Sequence, residues 1–98
     1  MAVSWSLTIT SPGRIDTTMG MGGDHDAAVT AVLAAAQAAI DDARVTAAPA
    51  SRYELRAAGE LVAIVQTGDD KDGRPDHVST RALIQRIEVE RYLSASPR

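Results

Sequence analysis

The chain has 98 residues, which is enough for one small domain spanning residues 1–98, with a frayed tail predicted at 94–98. Its formal net charge of −3 argues against a general binder of nucleic acid or anionic membranes, because such binding depends on many lysine and arginine contacts. The sequence contains no cysteine, which excludes disulfides, thiol catalysis and cysteine-ligated zinc.

Segment composition also bears on localisation and assembly. The N-terminal residues lack the basic start and apolar block of a signal peptide, and no apolar stretch reaches the roughly 18 residues of a membrane span. We therefore expect a cytoplasmic protein without membrane contact, and the excess of arginine and alanine favours a bacterial or mobile-element origin. The core must be built from Val, Ile, Leu and few aromatic rings, and so small a core raises the expectation of a homodimer.

The first two elements form a predicted β-hairpin. Residues 3–10 alternate apolar and hydroxyl side chains, which is typical of a strand with one buried face. Pro12 and Gly13 suit the turn, since proline presets the first bend and glycine allows a positive φ. Residues 15–21 return as a weaker strand, and the glycine-rich stretch 20–23 is expected to loosen the chain before the next element.

An alanine-rich segment, residues 24–45, predicts one long amphipathic helix. Alanine has the highest helix propensity, and no glycine or proline interrupts the run. The residues expected to face the core recur at steps of three or four, so they share one side of the helix. They are Val29, Val32, Leu33, Ala36, Ile40 and Ala43. Asp24 or Asp26 is placed to cap the N-terminus, and Pro49 ends any continuation of the helix.

Two further strands form a second predicted hairpin. Residues 52–58 alternate apolar and charged side chains, and residues 60–67 follow after Gly59, which suits a left-handed turn position. The run 61–65 is continuously apolar, which predicts a central strand buried on both faces.

The segment after the polar loop is ambiguous between helix and strand. Residues 87–90 alternate as a strand would, but we favour a helix over residues 77–93, capped by Asp76 or Ser79. On that helix the apolar residues form two patches on roughly opposite sides. One patch is Leu83, Ile84 and Ile87, and the other is Ala82, Val89 and Leu93. Two patches predict contact with the sheet on one side and with a partner on the other.

These elements together predict a two-layer α+β fold. Two hairpins form an antiparallel sheet of about four strands, and the alanine-rich helix packs across it. The predicted element order is ββαββ followed by a C-terminal helix.

The same patterns nominate two sets of contact residues. Small or apolar side chains on the two helices are a candidate interface with a second copy, although the alanines could also simply face water. These residues are Ala31, Ala35, Ala38, Val89 and Leu93. Three arginines in the C-terminal segment are candidate nucleic-acid contacts, or else part of a salt-bridged, solvated surface. They are Arg81, Arg86 and Arg91.

Three other sequence patterns do not indicate a binding site. The stretch 20–23 lacks the spacing of a phosphate-binding loop, and the aspartates that follow would repel phosphate. The run 69–73 resembles part of a calcium loop but lacks acidic residues at the first and last ligand positions. His25 and His77, with their neighbouring aspartates, form a metal site only if the fold brings them together. We therefore predict no catalytic residue, metal or cofactor.

Three functional hypotheses follow. The leading one is a small non-enzymatic interaction or regulatory module, homodimeric and with a possible further protein partner. The alternative is a transcriptional regulator that binds nucleic acid through the arginine-bearing C-terminal segment. The third is a small enzyme or metal protein that uses both histidines, which is disfavoured because the chain lacks a nucleophile motif and has little room for a water-excluding cleft.

Overall fold

The chain folds into one antiparallel sheet with two helices on the same side. The computed structural model describes the backbone of residues 2–95 and the side chains of residues 2–91. The elements are β1 (Val3–Ser11), β2 (Arg14–Gly22), α1 (His25–Val45), β3 (Arg52–Ala57), β4 (Glu60–Gln66) and α2 (His77–Ala95). The sheet order is β2-β1-β3-β4, and every neighbouring pair is antiparallel.

The predicted α+β fold is confirmed, including the helix between the two hairpins and the helix at the C-terminal end. α2 continues to Ala95, past the predicted end at residue 93, and residues 96–98 of the predicted tail lie outside the described range. Within the described range, neither helix is both long and apolar enough to cross a membrane.

Asp24 sets the start of α1. Its backbone is extended, and its side-chain carboxylate accepts a hydrogen bond from the Ala27 N–H at 2.7 Å. This bond satisfies one of the first-turn N–H groups that have no partner inside the helix. Of the two aspartates that could have capped the helix, Asp24 does so, and Asp26 instead pairs with Arg91 on α2.

The core lies between α1 and one face of the sheet. Every residue predicted for the core side of α1 is buried. The same core cluster contains Leu7 of β1, Tyr53 and Leu55 of β3, and Ile84 of α2. Burial raises the pKa of the Tyr53 hydroxyl above its ordinary value. Each large apolar side chain buried in this way stabilises the fold by about 1.5–3 kcal/mol.

The prediction that residues 61–65 form a central strand is wrong, because β4 is an edge of the sheet. Leu61 and Ile64 are 50% and 45% exposed on the face away from the helices. A bulge opposite β3 adds one residue to β4, so that the adjacent residues Val62 and Ala63 both pack against the core. The bulge therefore explains a continuous apolar run without burial on both faces.

Two of the glycines expected to loosen the chain instead belong to β2 and lie under close neighbours. A Cβ added to Gly20 would lie 2.3 Å from Cζ2 of the Trp5 indole, and one added to Gly22 would lie 2.5 Å from the Ala28 backbone nitrogen. The space around Gly23 is open. The glycines of β2 therefore let the indole and the first turn of α1 approach the sheet closely.

We predict that Gly22→Ala lowers the free energy of unfolding by about 1–3 kcal/mol, because the added methyl meets backbone atoms that cannot rotate away. Gly23→Ala is the matched control and should change the value by less than about 0.5 kcal/mol. Urea denaturation followed by circular dichroism measures both. Equal effects of the two substitutions would contradict the close approach of α1 to β2.

The turn between β3 and β4 holds a non-glycine residue in a left-handed conformation. Ala58 has φ of 54° and Gly59 has φ of 77°, the positive values that a two-residue type I′ turn requires. We predict that Ala58→Asn raises the free energy of unfolding by about 0.5–1 kcal/mol, because asparagine tolerates this conformation better than alanine. Thermal denaturation should show a higher midpoint for Ala58→Asn and a lower one for Gly59→Ala. An unchanged midpoint in both variants would argue against this turn geometry.

Candidate functional site

The sheet face opposite the helices, here called the outer face, carries a row of exposed apolar side chains. Ile15, Met19 and Met21 of β2 are 71%, 72% and 63% exposed. They alternate with residues that face the helices, so all three point to the outer face. We call these three residues the β2 apolar row. Met19 and Met21 are neighbours on the outer face, and Thr17 separates them from Ile15. Scattered exposed apolar residues are ordinary, but three large ones on the same face of one edge strand are a candidate interaction surface.

The register of the first hairpin places the row outward. The tight turn pairs Ser11 with Arg14. This register places Met19 opposite Ser6 of β1. Directly paired residues share a face, and β1 turns Ser6 outward and Leu7 inward against the core. Sequence reasoning missed the row because it treated β2 only as a weak strand. The signal was available in the spacing of the turn, which fixes the register.

Polar groups border the row on its inner side. On the outer face β1 presents a line of serine and threonine, and the hydroxyls of Thr8 and Thr17 lie 3.1 Å apart. Beyond β1, the Arg56 guanidinium pairs with the Glu54 carboxylate of the same strand at 2.8 Å. On its other side the row borders the free edge of the sheet, since β2 is the first strand in the order. The apolar surface therefore lies where another molecule can reach both the row and the edge.

Polar pairs join one flank of α1 to α2. The Arg81 guanidinium lies 2.7 Å from the Asp41 carboxylate, and the Gln37 amide donates to Glu88 at 3.5 Å. α2 also contacts β4, whereas α1 contacts the other three strands. The charged flank of α1 thus faces the β4 side of the molecule, and its opposite flank lies toward β2.

The residues predicted as an interface lie on two separate surfaces. Ala31 and Ala35 are half-buried on the flank of α1 turned away from α2, whereas Ala38 is exposed on the side of α1 opposite the core. Val89 is 49% exposed on α2. Leu93 is not among the residues 2–91 whose side chains the structure describes. The alanine flank and the C-terminal patch therefore do not form one continuous surface on a single chain, and their contact with a partner stays a prediction.

Each of the three arginines predicted to contact nucleic acid has a carboxylate partner within the chain. The pairs are Arg81 with Asp41, Arg86 with Glu90, and Arg91 with Asp26. Arg81 and Arg91 link α2 to α1, and Arg86 pairs along its own helix. Contact between these side chains and nucleic acid stays a prediction, but it would compete with the existing pairs.

The two histidines lie at opposite ends of α1. His25 is its first residue, and the Nε2 atom of His77 lies 2.9 Å from the carbonyl oxygen of Ala48, beyond its last turn. A helix of 21 residues separates these positions by about 30 Å. The histidines therefore do not share a site. Among the described side chains, no three histidine, aspartate or glutamate residues group closely enough to hold a metal ion.

A hollow of about 390 Å³ lies beside the N-terminus of α2 and includes Arg44 and Arg74 in its lining. Its acidic residues already serve the local backbone. The Asp70 carboxylate accepts from the Arg74 N–H at 3.0 Å, and the Asp76 carboxylate caps α2 by accepting from the Ser79 N–H at 3.0 Å. The two carboxylates of the hollow are therefore engaged in a loop and in the cap of α2.

Comparisons with known proteins do not add a family. No family model, curated protein or solved structure matches this chain. The geometry of the β2 apolar row and its open edge therefore carries the functional argument.

We predict that the cap on α2 makes stability depend on acid pH. The hydrogen bonds from Ser79 hold the pKa of Asp76 below its ordinary value. A lowered native pKa stabilises the fold above the ordinary value of about 3.9 and loses that contribution as pH falls through the lowered value. Asp76→Asn keeps a capping group without the titration, so the stability advantage of the wild type over Asp76→Asn should shrink below about pH 3.9. Urea denaturation across that range measures it, and a constant difference would contradict the assignment.

Proposed function

We propose that the protein is a non-enzymatic interaction module that works as a homodimer, in the cytoplasm of a bacterium or from one of its mobile elements. The observation that carries the proposal is the β2 apolar row, three large side chains exposed on one edge strand. The composition of the chain, which has no cysteine and many arginines, supports the proposal that the protein is cytoplasmic and bacterial.

Energetics support a partner for the row. Covering a large apolar side chain is favourable by about 1.5–3 kcal/mol, so the β2 apolar row holds a driving force that the single chain does not use. Met19 and Met21 are unbranched and flexible, which suits side chains that must adapt to a facing surface. A second copy is the partner we favour, because a chain of 98 residues with a small core gains stability from association.

The separate placement of chemical groups supports a non-enzymatic role. His25 and His77 lie at opposite ends of α1, and the carboxylates of Asp70 and Asp76 serve as local hydrogen-bond acceptors. Catalysis by general acid and base needs such groups within reach of one substrate. The nucleic-acid alternative has weaker support, because the candidate arginines already face carboxylates.

Light scattering across micromolar concentrations tests the proposal. We expect the wild-type chain to show a mass near twice its 10.3 kDa, and Met19→Glu to shift the population toward monomer because it places a charge in the row. Val45→Glu is the matched control, since Val45 is an equally apolar residue that is 81% exposed on α1, away from the row. A wild-type monomer at every concentration would overturn the homodimer, and equal effects of both variants would remove the row from the interface.

A further inference from the structure

We propose that two copies join through their β2 edges, which pair antiparallel about a two-fold axis at Thr18. The two four-stranded sheets then form one continuous sheet. This inference rests on the proposed homodimer and identifies the strand, the register and the axis by which it forms.

The backbone of β2 offers the hydrogen-bonding groups that such pairing needs. The Ser4 carbonyl accepts from the Ala58 N–H at 2.8 Å, so the backbone groups of Ser4 point toward β3 and away from β2. Ser4 is paired with Met21, and this pair is therefore one of the non-hydrogen-bonded pairs of the ladder. By alternation, four residues of β2 direct both their N–H and C=O groups to the open edge. They are Ile15, Thr17, Met19 and Met21.

β2 also lacks most of the features that protect natural edges from pairing, although it carries the charged pair Arg14 and Asp16 on its helix-facing side. It is nine residues long and pairs with β1 without a register shift, and its sequence contains neither proline nor lysine. The opposite edge strand, β4, carries a bulge in its pairing with β3. Proteins usually protect exposed edges with bulges, prolines, charged side chains or short strands. An edge as long and regular as β2 is therefore suited to a strand partner.

The sequence of β2 is complementary to itself when Thr18 lies on the axis. Antiparallel pairing about Thr18 places Ile15 opposite the partner's Met21 and Thr17 opposite the partner's Met19, all on the outer face. The β2 apolar rows of the two copies then form one surface across the seam. All outward backbone groups of both strands are satisfied, in about eight hydrogen bonds.

The helix-facing side of the seam is compatible with the same register. Arg14 and Asp16, which form an ion pair at 2.7 Å, lie opposite the partner's Gly22 and Gly20, respectively. The charged side chains therefore meet glycines, which leave room for them, and no like charges face one another directly. Shifting the axis by one residue in either direction leaves some outward backbone groups near the strand ends without a strand residue opposite.

The helix layer leaves this edge accessible. α2 lies on the β4 side of α1, and the flank of α1 toward β2 carries Ala31, Ala35 and Asp42. The short alanine side chains leave room for a neighbouring sheet, and Asp42 lines a hollow that also includes Arg14 and Asp16 of β2. Of the alanines predicted as an interface, Ala31 and Ala35 border the seam, whereas Ala38 lies on the exposed side of α1 opposite the core.

A single engineered cysteine tests the axis, because the chain has none of its own. In Thr18→Cys the two sulfurs face each other across a non-hydrogen-bonded pair with a Cα separation of about 4.5 Å, within the disulfide range. Mild oxidation should cross-link most of the Thr18→Cys chains. Asp16→Cys is the control, since its two copies would lie about 13 Å apart along the strands and should stay uncross-linked. If Asp16→Cys cross-links and Thr18→Cys does not, the proposed register is wrong.

A proline tests the hydrogen bonds of the seam. Thr17→Pro removes an N–H that points to the open edge and spares the ladder with β1, a position where edge strands tolerate proline. Thr17→Val loses the same hydroxyl contact to Thr8 but keeps the N–H. We expect Thr17→Pro to raise the dimer dissociation constant by about tenfold or more relative to Thr17→Val, measured by sedimentation.

The outcomes separate the two proposals. If the wild type is a dimer, but Thr18→Cys does not cross-link and Thr17→Pro stays dimeric, the β2 seam is overturned and the homodimer stands. A wild-type chain that is monomeric throughout overturns the homodimer itself. Circular dichroism of Thr17→Pro verifies the fold, and if that variant does not fold, the cysteine pair alone decides the axis.

Discussion

The register of the first hairpin decides most of what this molecule presents to its surroundings. The turn pairs Ser11 with Arg14, so each residue of β2 takes the face of its partner on β1. The glycines of β2 consequently lie beneath Trp5 and α1, and its large apolar residues lie outside. A slip of one residue would reverse both sets, placing methionines where α1 needs open space.

The second organising feature is the division of α1 into two flanks. One flank carries the side chains that pair with α2, including Asp41, and the other carries Ala31 and Ala35 together with Asp42. Exposed ion pairs contribute only about 0–1 kcal/mol each, so their main effect here is to orient α2 along one side of α1. That orientation occupies the arginines of α2 and places α2 over the β4 side of the core, whereas α1 is the helix that contacts β2.

The proposed function follows from features that converge on one side of the molecule. The β2 apolar row, the outward backbone groups of β2 and the alanine flank of α1 all lie toward the same sheet edge. Each feature is common by itself. Their coincidence on a strand that is also complementary to its own copy is what favours a symmetric partner over an unrelated one.

Both hairpins and the long α1 helix could be predicted from the sequence, because hydrophobic periodicity and turn residues are local signals, whereas residues 77–93 stayed ambiguous between helix and strand and the cap of α1 stayed open between Asp24 and Asp26. The sequence also determined the core side of α1, residue by residue. It could not place β4 at an edge, since a short apolar run is equally consistent with a central strand and with a bulged edge strand. The position of α2 beside Asp41 rather than beside the alanines, and the place of β2 at the open edge of the sheet, became known from the folded structure alone. Strand order and helix placement depend on long-range packing, which no local pattern encodes.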